Sequence, residues 1–112
     1  MIPGAKIWDM EIEISDRAHD LQDELRTYVE ERINSLGEHL DLIAGADVEF
    51  LREVKKRPHP LHEVKINLHL LGHRLPGLRA SATGHEPRIT FDLAMAKIAA
   101  EASQLKEKVK DH

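Results

Sequence analysis

The sequence predicts an α+β domain: a two-layer sandwich with the element order β-α-β-β-β-α, in which a four-stranded sheet carries two helices on one face. Three observations carry this expectation. Near the start, Trp8, Met10, Ile12 and Ile14 alternate with Asp9, Glu11 and Glu13, the period of a half-buried strand. In the middle, Val64, Ile66, Leu68 and Leu70 alternate in the same way with Glu63, Lys65, Asn67 and His69. In the last third, Phe91, Met95, Ile98, Ala102, Leu105 and Val109 step by 4, 3, 4, 3 and 4 residues, which is one stripe of a helix.

The remaining elements fall between these. Asp20 reads as a helix N-cap, with Asp23 three residues later adding negative charge at the positive end of the helix dipole. Leu21, Leu25, Tyr28, Ile33, Leu36 and Leu40 supply that helix's buried stripe, and Gly37 is a stop or break near its end. Asp41 to Gly45 is expected to turn into a second strand, where Val48, Phe50 and Val54 share a face. Lys55 to Leu61 holds two prolines and is a connection, because proline cannot sit in a central strand. Leu71 to Gly77 reads as a hairpin connection. Leu78, Ala80 and Ala82 form the inner row of a fourth strand, with Arg79, Ser81 and Thr83 outside. Pro87 suits the first turn of the last helix, and the charged tail from Lys106 to His112 is expected to fray. The three later strands form an antiparallel meander, the first strand pairs at one side, and the second face of the sheet stays open and polar.

Composition sets bounds on function. The 112 residues suffice for one domain, with a core from about residue 7 to 110. Aromatic residues make up 4%, so the core must be built from Leu, Ile, Val and Ala. There is no cysteine, which excludes disulfides, thiolate nucleophiles and cysteine metal sites. No apolar run has the length of a membrane span, and the N-terminus lacks the pattern of a signal peptide, so a cytoplasmic location is expected. The formal net charge of −4 argues against a generic nucleic-acid binder. An RNA role requires the basic residues to gather on one face.

Catalytic signals are weak. The serines show no nucleophile-elbow context, and Gly72 to Gly77 is too bulky for a phosphate-cradling loop. His59, His62, His69 and His73 fall within fifteen residues, with Glu63 among them. Facing strands could bring such residues to a metal. Two of these histidines, however, belong to a proline-bracketed loop, and His69 points outward, so no metal or other cofactor is expected.

The basic residues form three groups. Lys55, Lys56 and Arg57 lie in the connection after the second strand. Arg74, Arg79 and Arg88 surround the last hairpin and the start of the last helix. Lys97, Lys106, Lys108 and Lys110 run along that helix. Composition alone favours a solvated, salt-bridged surface. The functional alternative is a set of phosphate contacts along an RNA backbone.

The whole pattern resembles the ribosome hibernation promoting factors, also called ribosomal subunit interface or sigma-54 modulation proteins. Their fold is similar to double-stranded RNA-binding domains. The resemblance runs from about Trp8 to Lys110. It rests on Leu25-Arg-Thr-Tyr-Val-Glu-Glu-Arg-Ile33 followed by Leu36, on Val64 to Leu70 before a glycine turn, and on Leu78-Arg-Ala-Ser-Ala-Thr-Gly84. Asp92, Lys97 and the lysine-rich stretch from Lys106 to Lys108 complete it. No single motif is specific; their joint order and spacing carry the likeness.

The resemblance implies a non-enzymatic factor that binds the small ribosomal subunit and its rRNA in the mRNA and tRNA channel. There it would block translation and stabilise idle ribosomes under stress or in stationary phase. Arg26, Arg32, Arg79, Lys97, Lys106 and Lys108 would then contact rRNA phosphates. Charge alone adds Lys55, Lys56, Arg57 and Lys110. No membrane or small-molecule partner is implied, and a second hibernation factor is a possible partner. The length matches the short class, without the C-terminal dimerisation domain of longer members. Several positions depart from the family pattern. Glu86-Pro-Arg88 replaces the usual start of the last helix, Ala100-Glu101 replaces an arginine-glutamine pair, and Gln104 and Ser35 stand where lysine is frequent. Arg74 to Gly77 looks like an insertion. Two further readings remain open: a regulatory protein-interaction module that kept the fold but lost rRNA binding, and a metal-dependent enzyme using the histidine cluster.

Overall fold

A computed structural model describes residues 11–16, 21–39, 43–53, 61–71 and 77–110, with residues 39, 53 and 106–110 described by their backbone alone. Six elements follow in the expected order: β1 (Glu11–Asp16), α1 (Asp23–His39), β2 (Ile43–Glu53), β3 (Leu61–Leu70), β4 (Leu78–Gly84) and α2 (Pro87–Lys110). The strands lie side by side in sequence order. β1 runs parallel to β2, whereas β2–β3 and β3–β4 are antiparallel. Parallel neighbours need a crossover, and α1 supplies it; the later strands need only short connections.

Alternation decides which sheet face is buried. Val48 and Phe50 of β2, Val64, Ile66 and Leu68 of β3 and Ala82 of β4 point to one side and pack under both helices. From α1 come Val29 and Ile33; from α2 come Phe91, Ala94, Met95, Ile98 and Ala102. Three of the chain's few aromatics meet here. Phe91 stacks on Phe50 with 6.4 Å between centroids and meets Tyr28 edge-on at 6.0 Å. Such pairs contribute about 0.5–1.5 kcal/mol beyond their buried area. Val29, missing from the stripe expected for α1, is completely buried. A stripe wider than one row explains it, since positions 25, 29, 33 and 36 lie on one side of a helix. Thr90 and Ala94 widen the α2 stripe in the same way.

Several boundaries differ from expectation. The segment expected to be a turn up to Gly45 is already strand from Ile43, with a bulge between Ile43 and Gly45. Gly45 lies close to β1: a Cβ there would come 2.9 Å from the Glu11 carbonyl oxygen. Gly37 does not end α1, which continues to His39. The tail expected to fray is helical to Lys110. In β1, Ile12 and Ile14 are half-buried as expected, and the strand extends to Asp16. Trp8, Met10, Asp20, Leu40 and Val54 lie outside the described residues. At the start of α1, Asp16 Oδ2 accepts the Leu21 N–H at 2.5 Å, and the Arg26 N–H bonds the Gln22 carbonyl.

Candidate nucleic-acid interface

The open face of the sheet is read row by row from the strand register. One row runs Glu13, Asp47, Asn67, Arg79 from β1 to β4, and the next runs Ser15, Glu49, Lys65, Ser81. The face is therefore acidic on β1 and β2, and on β3 and β4 it is basic or neutral except at Glu63. Glu11 adds to the acid of β1, and Glu63 lies on β3 opposite Thr83 of β4. His69 and Asp47 share a hydrogen bond of 2.8 Å on this face, where His69 is exposed and Asp47 half-buried. A phosphate backbone is repelled by the β1 side and tolerated at the β4 side.

The basic end continues around the β4 edge onto α2. Lys97 Nζ donates to the Ser81 carbonyl at 2.9 Å. That bond places a lysine on a carbonyl of the edge strand β4, and charged side chains there blunt an edge. Ser81 is two residues from Arg79 and opposite Lys65, so Arg79, Lys65 and Lys97 form one corner. Arg79, Lys65 and Lys97 are exposed.

The other expected contacts are not gathered there. Arg26 is half-buried and Arg32 exposed on α1, and six residues of helix separate their directions by about 120°. Lys106, Lys108 and Lys110 occupy the last turns of α2. Lys55, Lys56 and Arg57 lie outside the described residues, as do His59 and His73 of the histidine cluster. Among the described residues no group of three His, Cys, Asp or Glu side chains could hold a metal ion.

Lys65 was missed as a candidate because strand alternation places it on the open face but does not say which strand lies beside it; only the register puts it by Ser81. Two residues that carry the family likeness have a structural explanation. The Tyr28 hydroxyl donates to Asp92 Oδ1 at 2.7 Å, joining α1 to α2 across 64 residues of sequence. The Arg88 guanidinium lies 4.4 Å from the centroid of the same Tyr28 ring, within range of a cation–π contact.

None of the described helices is long and apolar enough to cross a membrane. No curated protein matches the sequence at a significant level. Among solved structures, a ribosomal subunit interface protein from Coxiella burnetii is similar with a TM-score of 0.69 and 22% identity, over 88% of this chain and 99% of that one. The N-terminal domain of Protein Y from Thermus thermophilus is similar with a TM-score of 0.63 and 14% identity, over 87% of this chain and 98% of that one. At these identities the two structures speak for the fold. The family assignment comes from the sequence itself, because residues 12–110 match the model of the sigma 54 modulation protein / S30EA ribosomal protein family. That match spans both helices and all four strands, so the chain belongs to the sigma 54 modulation protein / S30EA ribosomal protein family.

Proposed function

We propose that the protein is a ribosome-associated factor that occupies the mRNA and tRNA channel of the small subunit, blocks translation and stabilises idle ribosomes. The observation that carries this reading is the basic corner of Arg79, Lys65 and Lys97 on a member of this family. The mechanism is steric occlusion held by phosphate contacts, with no catalytic step. The β4–α2 corner meets rRNA, the lysines at the end of α2 extend the contact, and the acidic β1–β2 half faces away. Lys55, Lys56 and Arg57 add contacts from the β2–β3 connection, and Arg26 and Arg32 add them from α1. A cytoplasmic location follows from this role.

Co-sedimentation with ribosomes and separated subunits, from low to high salt, tests the proposal. The expected result is salt-sensitive binding to the small subunit, competed by mRNA and tRNA. Lys97→Glu together with Lys106→Glu is expected to abolish it in a folded protein; unchanged binding would sink this choice of residues. A second reading, a protein-interaction module without rRNA binding, is favoured by one observation. Ile89 and Leu93 are 54% and 50% exposed on the outer side of α2, with Ala96 and Ala100 continuing their stripe. Absence of ribosome binding even at low salt selects that reading.

A further inference from the structure

A cleft of about 420 Å³ opens at the end of the molecule where both helices begin. It lies away from the β4–α2 corner, between the N-terminal turns of α1 and α2 and the ends of β2 and β3 nearest to them. Its floor is apolar, made by Leu21, Leu25, Tyr28 and the edge of buried Phe50. Arg88 covers one side, its guanidinium 4.4 Å from the Tyr28 ring centroid. Arg52 and His62, register partners on β2 and β3, line the cleft as well.

The size suits a small organic ligand, whose pockets start near 300 Å³, and the lining narrows its chemistry. Three carboxylates, Asp16, Glu24 and Glu86, line the cleft beside two arginines. That balance disfavours a polyphosphate. It suits a neutral planar group with amino donors for the carboxylates, attached to a single negative charge that the arginines attract. A guanidinium already placed over an aromatic ring is a stacking platform for a flat π system. A nucleobase on one unpaired nucleotide has all of these properties.

We propose that this cleft takes one extruded nucleobase of single-stranded RNA, stacked at Arg88 and Tyr28, with its phosphate toward Arg52 and His62. The inference rests on the RNA-binding reading above and adds a base-contacting site to phosphate contacts that read no sequence. It gives the protein a means of marking one unpaired position.

The test is an amide-resolved NMR titration of the full chain with each of the four ribonucleoside monophosphates, and with inorganic phosphate as control. The expected result is shifts at Leu21, Gln22, Leu51 and Arg88 with at least one monophosphate and none with phosphate alone. Arg88→Ala should weaken the binding about tenfold. Arg88→Lys should weaken it nearly as much, because lysine keeps the charge and loses the plane. Tyr28→Phe, which keeps the ring, should leave it within about twofold. Shifts equal to those with phosphate, no shifts in the cleft, or full affinity in Arg88→Lys would overturn the proposal. Ribosome co-sedimentation of the same preparation separates the two claims. Nucleotide binding without ribosome binding keeps the cleft and removes the ribosomal role; ribosome binding without nucleotide binding does the reverse.

Discussion

A methyl group on Gly84 would sit 2.6 Å from Thr90 Oγ1. That hydroxyl cannot easily yield, because Thr90 is fully buried and donates to the Glu86 carbonyl at 2.7 Å. The corner from β4 into α2 therefore depends on a pair of residues, one without a side chain and one with a short, tied one. Gly84→Ala is expected to cost about 1–3 kcal/mol by overpacking, read as a shift of the urea midpoint. In a Thr90→Ala background the same change should cost clearly less, and a double-mutant cycle would show the coupling; equal costs in both backgrounds would refute it. Ile33→Ala, at a position with no exposure, is expected to lose about 2–5 kcal/mol. The buried rows of β3 and α2 were legible in the sequence because alternation and helical stepping are local. The Gly84–Thr90 approach was not, since the sequence shows a glycine before a helix but not which atom it must avoid.

At the scale of elements, α2 serves two sides. Its inner stripe is core, and Lys97 fastens it to the β4 edge. The bond from Lys97 is exposed, so Lys97→Met should cost no more than about 1 kcal/mol of stability. If the lysine also meets a phosphate, the same substitution lowers the salt slope of ribosome binding by about one unit. A large loss of stability with an unchanged slope would make Lys97 purely structural. The outer stripe gives the opposite expectation. Leu93→Lys should leave stability within about 0.5 kcal/mol despite removing a large apolar residue, because the site is already half exposed. A thermal melt decides this. The stepping of α2 was plain in the sequence, but the buried Thr90 was hidden by its polar side chain. The extent of β2 was also misjudged, because Gly45 looks like turn chemistry and is instead a close approach to β1.

Across the whole molecule, the open sheet face carries its acid chiefly on β1 and β2. The order of elements and the burial of one sheet face followed from pattern alone. The corner of Arg79, Lys65 and Lys97 needed the strand register, which links residues that pattern treats as separate. The register also ranks the strands by support. Among the described residues β2 and β3 are paired on both sides, β1 and β4 on one. Amide hydrogen exchange should therefore be slowest in Ala46–Phe50 and Val64–Leu68 and faster in β1. Comparable protection in β1 would mean that the edge is held by more than its single neighbour.

The parallel pairing of β1 with β2 has a consequence for vectorial synthesis. β1 cannot dock until α1 and β2 have left the exit tunnel, because the register of Glu11 with Gly45 and Asp16 with Phe50 sets its partners 34 residues further along the chain. The antiparallel hairpins need only their own sequence neighbours. Until then β1 lacks its partner, whereas each antiparallel hairpin can close as soon as its second strand emerges. Glu11 and Glu13 on the outer face of β1 disfavour pairing with a foreign edge.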